Sequence, residues 1–99
     1  MNKFYVYILY SAQLDKHYVG QTSLEPDVRL QQHNSGDFED KFTLKGIPWT
    51  LFLTIDCNSR TEALKIEAHI KKMKSVKYVN SLKEFPEIIT RLKAKFADP

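Results

Sequence analysis

The chain reads as a small α+β domain, a three-stranded antiparallel sheet flanked by helices in the order β-β-α-β-α-α. Three observations lead there. Two aromatic and β-branched runs near the N-terminus are separated by a few polar residues, a third such run sits mid-chain, and apolar residues recur at helical spacing in the second half. The 99 residues make a single domain, 1–99, large enough for one core and too small for two.

Residues 3–10 (Lys-Phe-Tyr-Val-Tyr-Ile-Leu-Tyr) form the first strand. Alternation puts Tyr5, Tyr7 and Leu9 on one face and Phe4, Val6, Ile8 and Tyr10 on the other. Both faces are apolar, which predicts a central strand covered on both sides. Ser11 to Lys16 is a turn and His17 to Thr22 a second strand, closing a hairpin. Pro26, Asp27 in the first turn and Gly36 as a stop bound a short helix over about 25–35. Residues 37–47 read as a polar loop and Pro48 to Cys57 as the third strand. Ser59 with Glu62 is a capping box, and Ala63, Ile66, Ile70 and Met73 give the following helix a core-facing seam. After Ser75 come one or two further helical pieces, with Pro86 breaking or starting one, and Ile88, Ile89, Leu92 and Phe96 on the last apolar face.

At 42% hydrophobic and 27% charged, the composition is that of a globular domain. No stretch approaches the ~20 apolar residues of a membrane span, and the run Phe4 to Tyr10 is too short and too tyrosine-rich for a leader. A single cysteine, Cys57, excludes an internal disulfide and fits a reducing cytoplasm. Its place in an alternating strand argues for packing rather than nucleophilic work. Residues 1–59 carry five Lys/Arg against seven Asp/Glu, and residues 60–99 carry ten against five. The basic C-terminal half suits a polyanion, though a solvated helix face has the same signature.

Several polar groups stand out against this frame. Tyr7 and Tyr18 on a hairpin can present two phenols on one side, or can be ordinary strand aromatics. Gly20 at a strand position marks a close backbone approach or a bulge. Arg29 and His33, four apart on one helix, share a face; arginine can clamp a phosphate and histidine can move a proton, while on an exposed helix the same pair merely faces water. Glu67, at the margin of the apolar seam, can seat one hard cation with substrate oxygens and water, or can pair with Lys71 four residues on.

In their order and spacing, Tyr5-Val6-Tyr7, Tyr18-Val19-Gly20, Arg29, His33 and Glu67 resemble the GIY-YIG nuclease superfamily, specifically its small standalone bacterial members and the N-terminal domain of the excinuclease C subunit. The resemblance covers roughly residues 4–75. It implies that Tyr7 is the catalytic tyrosine, that Tyr18 supports it and contacts phosphate, that Arg29 and His33 assist, and that Glu67 holds Mg²⁺ (or Mn²⁺). Asn80 stands where some relatives position the phosphate with an asparagine, and Asn34-Ser35-Gly36 with Lys41-Phe42-Thr43 correspond to a helix cap and a substrate-facing loop. Tyr5 replaces the family's name-giving glycine. Tyr10 stands where relatives carry Lys or Arg, which predicts a sluggish nuclease unless Lys3, Lys16 or Lys41 reaches the same phosphate.

The resulting expectation is a metal-dependent endonuclease acting on nucleic acid, DNA in preference to RNA, and on structured or damaged DNA rather than a base sequence. A nucleic-acid-binding module with little turnover and a protein-interaction domain using the tyrosines as anchors are the alternatives.

Overall fold

A computed structural model describes residues 3–36 and 41–97. Strands β1 (Phe4–Ser11) and β2 (Lys16–Thr22) form the hairpin, followed by α1 (Pro26–Ser35), α2 (Lys41–Lys45), β3 (Trp49–Cys57), α3 (Arg60–Met73), α4 (Val76–Glu84) and α5 (Pro86–Phe96). The sheet is antiparallel with order β2-β1-β3. The doubly apolar β1 is therefore the central strand, as its composition requires.

Its two faces carry two cores. Val6 and Ile8 join Ile55, Cys57, Ala63, Ile66, Ile70, Val79, Leu82 and Leu92 in the larger one, beneath α3, α4 and α5. Tyr7 and Leu9 join Trp49 on the other face, with Tyr18, Leu30 and Ile47 around them. The hairpin turns through Asp15 in the left-handed region (φ 50°), a conformation Asp tolerates better than most residues. Ser11 Oγ accepts from the Leu14 N–H inside the turn (3.1 Å).

The helix boundaries follow local chemistry. Pro26 opens α1 and Gly36 closes it with φ 78°. Ser59 caps α3 by accepting from Glu62 N (3.1 Å), and the Glu62 carboxylate returns to the N–H of Asn58 (3.3 Å). Ser75 caps α4 through Tyr78 N, and Pro86 starts α5.

Two expectations need correction. The expected loop 37–47 contains a helix, α2, whose Thr43 is buried and whose Thr43 carbonyl accepts from the Trp49 indole N–H (2.7 Å). Asp37 to Asp40, also assigned to that loop, lie outside the described residues. Met73, expected in the core seam, is 44% exposed. The chain reverses immediately after it, at Lys74 in the left-handed region, and Val79 and Leu82 of α4 continue the core instead.

Asn34 fixes α1 against the sheet. Its side-chain amide donates to the Trp49 carbonyl (2.9 Å) and its amide oxygen accepts from the Trp49 N–H (2.6 Å), as a neighbouring strand would. Replacing Asn34 by Ala should cost about 2–3 kcal/mol for two lost bonds, measured by urea unfolding; an unchanged midpoint would remove the clamp from the account. Cys57 supplies a pH test. Burial is the largest influence pushing its thiol up, to about 11. A raised native pKa means that its contribution to stability is complete below the unfolded thiol value of ~8.5 and is lost as pH rises through the native value. The decline in stability between those limits should shrink in Cys57→Ala.

Candidate active site

The β1–β2 register sets the centre. Tyr7 faces Gly20 and Leu9 faces Tyr18, so the two tyrosines are diagonal neighbours on one side of the hairpin, with ring centroids 6.3 Å apart. The Tyr7 ring lies across Gly20: a Cβ built there would stand 2.5 Å from Tyr7 Oη and 2.6 Å from Cζ. Glycine at position 20 is thus the space that Tyr7 occupies.

Helix α1 brings its polar pair onto that ring. Tyr7 Oη and His33 Nε2 are 2.9 Å apart, and Arg29 Nε donates to Tyr7 Oη at 3.2 Å. Arg29 also donates through Nη1 to Gln32 Oε1 (3.0 Å), which steadies its fork. His33 is buried and packs edge-on against Tyr18, centroids 5.0 Å apart, while Trp49 closes the far side of Tyr18 at 6.1 Å. Because Arg29 can only donate, Tyr7 Oη accepts from it. The phenol proton then points to His33 Nε2 when that nitrogen is unprotonated.

The electrostatics of Tyr7 are a contest. Burial is the largest influence and raises its pKa; the Arg29 hydrogen bond and charge pull it down, and Tyr18 and Glu67 push it up again. The phenol is neutral near pH 7. The influence of Glu67, which stands on helix α3, is the smallest of these. Glu67 is largely buried, with 17% of its side chain exposed, and meets Lys71 at 3.5 Å, the i,i+4 pair its spacing allowed.

Of the residues singled out from sequence, Tyr7, Tyr18, Arg29 and His33 form one contact cluster and Glu67 reaches it through its charge. Asn80 is exposed on α4, which packs on α5. The Asn34-Ser35-Gly36 string is a structural device, with Asn34 holding Trp49. Tyr5 donates to Glu25 Oε1 (3.2 Å) at the start of α1. Tyr10 donates to Asp15 Oδ1 (2.6 Å) and its ring packs on His17, centroids 5.1 Å apart, so it serves the hairpin turn. Sequence reasoning missed Arg60, which shares a recess with Arg29; its seven-residue spacing from Glu67 was the available signal.

Among the described residues no group of three or more His, Cys, Asp or Glu side chains is placed to hold a metal ion. A hard divalent cation that keeps most of its waters needs only one or two protein carboxylates. The Glu67 carboxylate, partly buried and paired with a lysine in water, offers the oxygen donors that chemistry uses.

Comparison with known proteins follows the same outline. The family model described as GIY-YIG catalytic domain matches residues 3–79. A curated protein of Syntrophus aciditrophicus (strain SB), called UPF0213 protein, is 37% identical over 87 residues, covering 88% of this chain and 98% of its own length. No solved structure matches.

The Gly20–Tyr7 contact predicts the effect of one methyl group. Gly20→Ala must displace a ring whose hydroxyl is tied to His33 and Arg29, at a cost of about 1–3 kcal/mol for overpacking. Urea unfolding measures that loss, and tyrosine and histidine NMR shifts report whether the Tyr7–His33 bond has gone. Wild-type shifts and stability would show that the glycine is incidental.

Proposed function

Because the chain belongs to the GIY-YIG family, we propose that it is a divalent-metal-dependent endonuclease hydrolysing DNA phosphodiester bonds, on structured or damaged substrates, in the cytoplasm. The observation that carries this reading is the Tyr7 hydroxyl, shared between His33 and Arg29 within the field of Glu67.

Each residue has a role that follows from its surroundings. Glu67 would hold Mg²⁺ or Mn²⁺ together with water and substrate oxygens, and the bound ion supplies Lewis-acid stabilisation of phosphate charge and a more acidic water. Tyr7, neutral at pH 7, is a poor base alone. With a neutral His33 behind it, the phenol passes its own proton to Nε2 as it takes one from an attacking water, so imidazole is the net acceptor. Arg29 stays charged, favours negative charge on the phenol oxygen and stabilises the charge that grows on the phosphate. Tyr18 walls His33 and contacts the phosphate. Among the described residues no serine or second carboxylate joins the cluster, so in this reading water is the nucleophile and no covalent intermediate forms.

A second reading, a nucleic-acid-binding module with little turnover, draws on Tyr10, which serves the turn instead of supplying a cation.

The test is nicking of supercoiled plasmid by the full chain. Mg²⁺ or Mn²⁺ should support it and excess chelator should abolish it. Glu67→Ala and Tyr7→Phe should each slow it by about 10²–10³, the scale of losing one transition-state contact. Cutting that persists in chelator would sink the metal reading, and plasmid binding without cutting would favour the second one.

A further inference from the structure

Where the end of β2 meets the start of α1, a pocket of about 280 Å³ shares Arg29 with the Tyr7 cluster. Gln21, Thr22 and Ser23 supply polar walls, and two guanidinium-bearing residues line it, Arg29 from α1 and Arg60 from the first turn of α3. Among the described residues that line it there is no carboxylate. Two like charges sharing one small recess favour an anion between them, and hydroxyl and amide donors beside guanidinium groups are the chemistry that recognises phosphate.

We propose that this pocket seats a backbone phosphate flanking the scissile one, with Arg60 as the second guanidinium of the substrate clamp. The inference rests on the nuclease reading above and adds a residue and a substrate path to it. Arg29 joins the two places, since its Nε bonds the Tyr7 oxygen while the residue also lines the pocket. Arg60 and Glu67 are two turns apart on α3 and so lie on one side of it, separated by roughly 10 Å along the axis. Beyond Glu67 on the same helix, Lys71, with Lys74 at its C-cap, lines a wider recess that also includes Lys16 and Tyr18 of β2, with Asp15 as its one carboxylate among the described residues. Cations thus stand on both sides of Glu67 along α3, an arrangement suited to a strand that continues past the cleaved bond.

The experiment uses the full chain and an oligonucleotide whose phosphates are replaced one at a time by neutral methylphosphonates. Dissociation constants, their salt dependence and single-turnover rates are measured for wild type, Arg60→Gln and Arg60→Lys. Arg60→Gln should weaken binding about tenfold, the scale of one charged hydrogen bond, with the single-turnover rate at saturation within about twofold of wild type. It should reduce the salt slope by about one, and Arg60→Lys should restore most of both. One methylphosphonate position should weaken wild-type binding about tenfold and leave Arg60→Gln unaffected, a pairing that a merely structural role would not produce. If Arg60→Gln does not fold, the methylphosphonate scan of wild type against Arg60→Lys decides, with the same single position expected to respond less in the variant. Wild-type affinity and slope in Arg60→Gln, or equal losses at every position, would overturn the subsite while leaving the nuclease reading intact. A wild type that binds but does not cut overturns the nuclease reading and leaves the subsite to the binding measurements. A wild type that binds no nucleic acid overturns both.

Discussion

The Tyr7 hydroxyl is the contact on which the rest of the arrangement depends. Its ring is buried, and a phenol oxygen in that position requires partners, because an unpaired buried hydroxyl costs roughly 1–3 kcal/mol. Those partners are His33 and Arg29, so α1 must dock with that face inward. Asn34, one residue beyond His33, then completes the docking through both backbone groups of Trp49. Beneath the ring, Gly20 is the only kind of residue that leaves room. The same pairing constrains register, since a slip of one residue would send Tyr7 to the opposite face and leave Gly20 facing nothing that needs it. One side chain thereby links hairpin register, helix placement and the composition of the smaller core.

The packing that makes Tyr7 structurally important also makes it chemically awkward. Burial raises its pKa and outweighs the help from Arg29. A phenol that stays protonated at neutral pH can relay a proton but cannot hold its charge unaided. The placement of His33 behind it turns that handicap into a path, because the acceptor is already hydrogen-bonded before any water arrives. Arg29 serves that oxygen directly: its hydrogen bond and charge favour the ionised phenol, and in the proposed reaction the same fixed cation would stabilise phosphate charge.

Much of this was legible in the sequence, and the gaps have physical causes. Local periodicities carried the strands, the double-sided burial of β1 and the shared face of Arg29 and His33. The diagonal pairing of Tyr7 with Tyr18 followed from hairpin geometry. The helix α2 was missed because five residues after a polar stretch have too little pattern to outweigh loop composition, and its order comes from Thr43 meeting Trp49. Met73 fits the helical period but lies where α3 ends and the chain turns, which periodicity alone does not reveal. The Asn34 clamp and the pocket that Arg60 shares with Arg29 are long-range, bringing together residues 15 and 31 positions apart in the chain. Neither has a local signature.

Glu67 is the residue for which the structural and the functional readings are usually set against each other, and magnitudes dissolve the conflict. Its partner Lys71 is 55% exposed, and the pair is 3.5 Å apart. Exposed i,i+4 pairs are worth about 0.3–0.5 kcal/mol, too little to keep a carboxylate from a divalent ion and a phosphate. Glu67 loses little by exchanging Lys71 for a cation, and Lys71, which already lines the recess beside Lys74 and Tyr18, loses little by turning to the strand. A weak ion pair at this position is compatible with the ion seat proposed for Glu67.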